Sequence, residues 1–282
     1  MKNLKSRLLI FLSVICLVFT ACSGGTESGY NNTVTVLDVG QAACTLIEAE
    51  GQFALIDAGD TGGTVDIVPY LNSRGVEKID LLVISHFHHD HTSGAMDVIR
   101  NFEIGAVVIP SLEGDMVPDS YLYKSLWVDA SEGYYTLETA VAGKSFALGK
   151  GSVEILADTI NHLSENDTSI ALSYTDGSFV YLNTADMEKA AEKLVMENMP
   201  ENVTLFAAGH HGSYTSSSYD FMMKISPDLV TVSCGKDNEY GHPHSQTIAT
   251  FEKLGIPYHI TREEGNMVYY IDSNKLVSEG KQ

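Results

Sequence analysis

The chain has 282 residues, 44% hydrophobic and 19% charged, which is enough apolar material for a sizeable core and too much for a disordered polypeptide. Its 17 lysines and arginines face 37 aspartates and glutamates, a formal net charge of -20. That sign argues against a general attraction to nucleic acid or anionic lipid, which depends on Lys and Arg displacing counterions from phosphate.

The first stretch reads as a targeting segment and not as part of the fold. Lys2, Lys5 and Arg7 precede an almost wholly apolar run from Leu8 to Phe19, and Thr20-Ala21 places small residues before Cys22. Phe19-Thr20-Ala21-Cys22 resembles a bacterial lipobox, with Phe where Leu is more usual. The resemblance implies a signal peptide over residues 1–21, lipidation of Cys22, and an extracytoplasmic, membrane-anchored lipoprotein. Residues 22–32 are small and polar enough to serve as a tether. A plain secreted protein or an uncleaved anchor is the alternative. The remaining body, residues 33–282, is expected to form one domain.

Three short β-rich runs, Val34 to Val39, Cys44 to Glu48 and Phe53 to Asp57, predict an antiparallel meander. Apolar positions 65, 67, 68 and 71 predict a helix over Thr64 to Arg74, closed by Gly75. A buried strand is expected over Asp80 to Ser85, then a histidine-rich loop taken to be extended. A helix follows over Ser93 to Asn101 with Ser93 as its N-cap, then a strand over Ala106 to Pro110. Ser111 to Gly143 reads as an irregular or partly helical insertion. Its aromatics, among them Tyr121, Tyr123, Trp127 and Tyr135, would either line a substrate cleft or pack the insertion onto the domain.

The second half opens with strands over Ser145 to Leu148, Ser152 to Ala157, Ser169 to Thr175 and Phe179 to Asn183, the last two joined at Asp176-Gly177. Helices are expected over Asp186 to Asn198, Ser216 to Ile225 and Ser245 to Leu254. Between and after them come strands over Val203 to Ala208, Leu229 to Ser233, Tyr258 to Thr261 and Met267 to Ile271. Two halves, each of strands followed by helices, predict an α/β (α+β) fold in the form of a four-layer αββα sandwich. Cys44 and Cys234 lie in strand-like runs and read as buried hydrophobes, with a disulfide between them as the alternative.

The chemistry concentrates in Ser85-His86-Phe87-His88-His89-Asp90-His91-Thr92-Ser93-Gly94, which holds four of the ten histidines. His86, His88, Asp90 and His91 at a strand end combine imidazole with carboxylate, a donor set suited to zinc, or to manganese or iron where oxygen ligands dominate.

This motif resembles that of the metallo-β-lactamase superfamily, whose fold is the αββα sandwich. The family's other stations match Asp57, as a residue that orients ligands, Asp186, as a bridging carboxylate, and one of His210 and His211 as a late ligand. Leu37-Asp38-Val39-Gly40-Gln41, Asn166-Asp167-x-Ser169, His210-His211-Gly212-Ser213 and Gly235-Lys236 through Tyr240-Gly241-His242-Pro243-His244 are similar to the hydrolase domain of bacterial competence (DNA-uptake channel) proteins. Phosphorylcholine esterases share much of this plan. Two departures stand out: Ala42-Ala43 where the competence type carries Gly and Asp, and Asn166 or Asp167 where many members carry a third histidine. His162 is a reserve ligand.

The resemblance implies a metal-dependent phosphoester hydrolase with two divalent metal ions, zinc first, about 3.5–4 Å apart, and a hydroxide held between them as nucleophile. His86, His88 and Asn166 or Asp167 would serve the first ion. Asp90, His91 and His211 would serve the second, with Asp186 shared. Asp90, His210 and Asp57 are the expected catalytic residues, with His210 and His211 interchangeable at this point. Lys236, Tyr240 and His242 are expected to bind substrate. A small-molecule or cell-envelope phosphoester fits the acidic chain better than nucleic acid. Lactone, thioester or β-lactam hydrolysis on the same fold, and a non-catalytic metal-binding lipoprotein, are the competing expectations.

Overall fold

The computed structural model describes residues 32–272, except 61, 159, 161 and 162, together with 275–281. The leader, the tether with Cys22 and the reserve ligand His162 lie outside the described residues. Strands β1 (Asn32–Val36), β2 (Thr45–Ala49) and β3 (Gln52–Ile56) form the expected antiparallel meander. From β3 the sheet continues in parallel through β4 (Lys78–Val83), β5 (Glu103–Ile109) and β6 (Thr136–Thr139). Helices occupy the crossovers, as parallel pairing demands: α1 (Ile67–Ser73), then α2 (His89–Thr92) with α3 (Ala95–Asn101), then α4 (Tyr121–Ser131).

The second sheet repeats this plan. Strands β7 (Ser145–Leu148), β8 (Gly151–Ala157), β9 (Ala171–Asp176) and β10 (Phe179–Asn183) are antiparallel. Strands β11 (Leu205–Ala207), β12 (Leu229–Val232) and β13 (Tyr258–Ile260) then run parallel to β10. Their crossovers hold α5 (Lys189–Val195), α6 (Tyr219–Ile225) and α7 (Ser245–Leu254). After α8 (Thr261–Glu264) the chain returns to the first sheet as β14 (Met267–Asp272) and β15 (Lys275–Lys281), with β14 beside β1. Among the described residues the sheets therefore have eight and seven strands.

Alternation along the strands builds three apolar layers, because successive side chains leave a strand on opposite faces. Ala54 and Ile56 point between the sheets, where Val36, Ile47, Tyr174, Tyr181 and Tyr269 meet, while Leu55 points outward to the layer under α1 and α3 with Leu71 and Val98. Tyr181 lies in the central layer, and its neighbour Leu182 joins Phe206, Phe221 and Phe251 in the layer under α5 to α7. Both sheets are thus buried on two faces, which accounts for their nearly continuous apolar runs.

Several local expectations are corrected. The histidine loop is not extended throughout, because His89–Thr92 closes into a helical turn. Ser93 does not cap α3; the N-cap is Gly94, and the Ser93 hydroxyl bonds instead to the backbone of Asp60, accepting from its N–H at 2.7 Å and donating to its carbonyl at 3.0 Å. The segment over Ser111 to Gly143 is more regular than its composition suggests, with α4 packing Leu126 inward and β6 extending the first sheet. The helix expected from Asp186 starts only at Lys189, and the one expected from Ser216 starts at Tyr219. In both cases the leading residues stay in loops where their side chains are needed. Cys44 and Cys234 are buried free thiols, so the disulfide alternative does not hold.

The glycine of Asp57-Ala58-Gly59 has a steric cause. A Cβ there would lie 1.6 Å from the carbonyl oxygen of Asp90, a backbone atom with no freedom to swing aside. Gly59→Ala is therefore expected to cost about 1–3 kcal/mol of stability and to displace Asp90. Denaturant unfolding of the metal-free variant checks this, and a midpoint equal to wild type would show that the approach is looser than described.

Candidate metal centre

The loops that carry polar side chains emerge at one end of the two sheets. Asp57 follows β3, His86 to His91 follow β4, Asp186 follows β10, His210 and His211 follow β11, and Ser233 to His242 follow β12. Asn166–Thr168, a 3-10 turn, leads into β9, whose start pairs with the end of β10. Carboxyl ends of parallel strands are where open α/β sheets usually bind ligands, because the crossovers leave a crevice there.

Two groups of donor atoms converge at this end and share one residue. Asp90, His91, Asp186 and His211 form the first, and His86, His88 and Asp186 the second. Within the second, His86 Nε2 and His88 Nδ1 are 3.0 Å apart. Between the groups, Asp186 Oδ1 lies 3.1 Å from His91 Nε2 and 3.7 Å from His211 Nε2, and Oδ2 lies 3.8 Å from His86 Nε2. His211 Nε2 is also 3.3 Å from Asp90 Oδ2.

Backbone and second-layer contacts fix which ring atoms face inward. Asp57 Oδ2 lies 2.7 Å from His91 Nδ1, while the same carboxylate accepts from the Ser85 N–H at 2.7 Å and the Ser85 hydroxyl at 2.8 Å. His211 Nδ1 donates to the Ser233 carbonyl at 2.9 Å. With each Nδ1 committed as a donor, each Nε2 carries a lone pair whenever the ring is neutral. Both Nε2 atoms are buried and lack a correctly aligned hydrogen-bond partner despite the carboxylates close by. Lone pairs and carboxylate oxygens facing one another in a dry site repel unless a cation lies between them, so this donor set fits a divalent metal.

The electrostatics agree. Burial opposes charge on Asp186, but His91, His211 and His86 hold its carboxyl well below the usual range. Asp90 is also desolvated, yet His211 and His91 bring it down to about 2. Burial would lower His91 and His211, and Asp186 with Asp57 or Asp90 outweighs it, raising both above the ordinary histidine value. His86 goes the other way, lowered by burial and by His91. Without metal, the carboxylates favour the protonated form of His91 and of His211.

Of His210 and His211, the inward ligand atom is that of His211. His210 lies at the pocket wall, its Nε2 3.6 Å from Asp186 Oδ2 and its Nδ1 3.1 Å from the Thr215 hydroxyl. Both residues adopt left-handed backbone (φ 50° and 54°), ahead of Gly212 at φ 80°. Buried Glu192 on α5 braces this turn by accepting from the Ser217 and Ser218 N–H groups, and Ser217 Oγ accepts from the Gly209 N–H.

Asn166 and Asp167 part company. Asp167 is turned away, its Oδ1 accepting from the Glu188 N–H at 2.9 Å and its Oδ2 from the Ser164 hydroxyl at 2.7 Å, which corrects its candidacy as a ligand. Asn166 lines the pocket beside His88 and Asp186; its Nδ2 donates to Glu188 at 3.3 Å and its Oδ1 is buried without a partner.

The pocket above these groups has a volume of about 530 Å³. Tyr240 and His242 form its far wall, with rings stacked at 5.6 Å, and burial together with His211, His210 and His244 lowers His242 to about 4. Lys236 is not in this pocket; it lines a neighbouring one, which corrects its expected place at the same wall. The aromatics of residues 111–143 do not line the pocket either. Tyr135 packs inward with its hydroxyl on the Leu126 carbonyl, and Tyr123 packs on Phe87. Sequence reasoning missed Gln41, His89, Asn238 and Glu239 as pocket residues and Ser85 as the partner of Asp57. The Asp-Val-Gly-Gln motif was the available signal for Gln41, whose Nε2 lies 3.2 Å from His242 Nδ1.

Comparison with known proteins agrees with this geometry. The family described as Metallo-beta-lactamase superfamily matches residues 37–236. The chain belongs to that superfamily. It is 25% identical to ComE operon protein 3 of Bacillus subtilis over 95% of this chain and 37% of that protein. It is 28% identical to Recombination protein 2 of Haemophilus influenzae over 86% of this chain and 29% of that one, and 28% identical to competence protein ComA of Neisseria gonorrhoeae over 74% and 28%. It thus spans about a third of the length of the curated relatives it matches. Among solved structures, the metallo-beta-lactamase fold protein YhfI of Bacillus subtilis superposes with a TM-score of 0.57 at 12% identity, covering 84% of this chain and 99% of that one. Igni18, a metallo hydrolase of Ignicoccus hospitalis, does so with a TM-score of 0.57 at 15% identity, covering 85% and 100%. These two likenesses concern the fold.

Because the neighbouring carboxylates raise His91 and His211 above the ordinary histidine value, metal uptake is expected to release protons, and apparent affinity to rise with pH. Titration calorimetry in buffers of different ionisation enthalpy measures this. A binding heat independent of buffer would contradict it.

Proposed function

We propose that this protein is a dinuclear metal-dependent hydrolase of phosphoesters, zinc being the first choice of metal. The observation that carries the reading is Asp186, one buried carboxylate shared by two groups of donor atoms. His86, His88 and Asn166 would hold one ion with it, and Asp90, His91 and His211 the other. A pair of ions bridged in this way supplies an activated water near neutral pH and neutralises the oxygens of an in-line phosphoryl displacement.

The remaining tasks fall to the chain's own residues. Asp57 orients His91 and, through Ser85, fixes the start of the histidine turn. His210, within hydrogen-bond reach of Thr215 and open to the pocket, is placed to give a proton to the departing alkoxide. Tyr240 and neutral His242 form a wall that can take the substrate's organic group. Competence and recombination proteins among the sequence relatives support a phosphodiester reading over a β-lactam one. The net charge of -20 favours a small or cell-envelope phosphoester over bulk nucleic acid.

Metal-loaded protein is expected to cleave bis-p-nitrophenyl phosphate, and Asp186→Ala to reduce kcat/KM by at least about a hundredfold while lowering bound metal. Turnover confined to lactone, thioester or β-lactam substrates would replace this reading with the other hydrolase one, and tight metal binding with no turnover across that panel would leave a binding protein.

We also propose that Cys22 carries a lipid and anchors the protein outside the cytoplasm. The described residues include no helix long and apolar enough to cross a membrane. Metabolic labelling with a fatty acid should mark the wild type and not Cys22→Ala; label retained in the variant would refute the anchor.

A further inference from the structure

Beside the metal pocket lies a second depression of about 280 Å³. Gln41 and Asn238 belong to both, so the two share a wall. Gln41 ties the wall together, with its Nε2 against His242 and its Oε1 accepting from the Gly235 N–H at 3.0 Å. Asn238 Nδ2 donates to the carbonyls of Gly235 and His242, at 2.9 and 2.7 Å.

The second depression is lined by the chain's scarce positive charge. Lys236 and Arg262 both face it. Arg262 is positioned by a 2.7 Å bond from Nη1 to the carbonyl of His242, the residue whose ring walls the metal pocket. Glu263 lies 3.6 Å from Arg262 Nε and offsets part of its charge. Among the described residues Lys236 has no carboxylate within ion-pair distance, like Arg100, Lys189 and Lys193 and unlike Arg74, Lys78, Lys144, Lys150 and Lys224. The acid in the depression, Asp38, is largely buried and accepts from the Thr64 hydroxyl at 2.8 Å.

The rest of the lining is nearly bare backbone. Gly40, Gly62, Gly63 and Gly235 contribute to it, and a Cβ on Gly63 would lie 2.2 Å from the Gly40 nitrogen. A small concave surface with an unpaired ammonium and a held guanidinium suits a tetrahedral dianion. In a chain of net charge -20, such a surface next to the metal pocket is unlike its surroundings.

We infer that this depression is a subsite for a second phosphate of the substrate, so that the preferred phosphoester carries a further phosphate group next to the one that reacts. The inference rests on the phosphoesterase reading for the first phosphate and adds a recognition element outside the metal centre.

Two measurements test it. The first compares thymidine 5′-(p-nitrophenyl phosphate) with the same compound bearing a 3′-phosphate, in wild type, Lys236→Met and Lys236→Arg. The added phosphate is expected to lower KM about tenfold in the wild type, with most of that preference lost in Lys236→Met and kept in Lys236→Arg. No preference in the wild type, or the same preference in Lys236→Met, overturns the subsite. The second titrates inorganic pyrophosphate into metal-loaded protein by calorimetry, with binding expected to weaken about tenfold in Lys236→Met. Lys236-dependent binding without turnover of any phosphoester would keep the subsite and sink the phosphoesterase reading. Equal binding by wild type and variant would sink the subsite whatever the enzyme cleaves.

Discussion

The contact on which the site depends is the one between Asp57 and His91, inside the protein and away from substrate. A single buried carboxylate holds the ring nitrogen of His91, the backbone N–H of Ser85 and the Ser85 hydroxyl. It thereby joins the end of β3 to the end of β4 and commits the outer nitrogen of His91 to face Asp186. A carboxylate this deep is costly unless its lone pairs are filled, and three donors fill them. The metal centre is therefore assembled on a polar network that exists before any ion arrives.

Part of the backbone strain falls in the same place. Asp57, Ala185, His210 and His211 all have positive φ, a region that costs a non-glycine residue about 1–3 kcal/mol. Each lies at or beside a residue whose side chain turns into the site. The surroundings hold these conformations: Asn183 Oδ1 accepts from the Ala185 N–H, and the Glu192 and Ser217 network braces the histidine pair. Leaving a strand so abruptly is what lets adjoining loops aim short side chains at a common point.

The motif His86-x-His88-x-Asp90-His91, the order of strands and helices, and the late stations at Asp186 and at the His210-His211 pair were legible because each depends on local spacing or on a match in sequence order, although which of the two histidines faces inward was not. Which of Asn166 and Asp167 faces the pocket was not legible either. It turns on which of two adjacent side chains is captured by the Glu188 N–H and the Ser164 hydroxyl, contacts that no periodicity encodes. Lys236 shows the same limit from the other side. Its place in the chain near Tyr240 and His242 suggested one polar cluster, but the loop after β12 divides around Gln41 and Asn238 into two depressions. The helices expected from Asp186 and Ser216 start later because the Asp186 carboxylate turns toward His91 and His211, while the Ser216 hydroxyl donates to the Met187 carbonyl.

The direction of β1 has a bearing on how the molecule is presented. Its last residue, Val36, leads into the turn holding Asp38 and Gln41 at the edge of the pockets, so its first, Asn32, lies at the opposite end of the sheet. There Asn32 pairs with Ile271 of β14, whereas β15 runs back so that Lys281 pairs with Met267, at the end of the sheet where the pockets lie. Anything attached ahead of residue 32 holds the domain from behind, with the mouth of the site pointing away from the point of attachment.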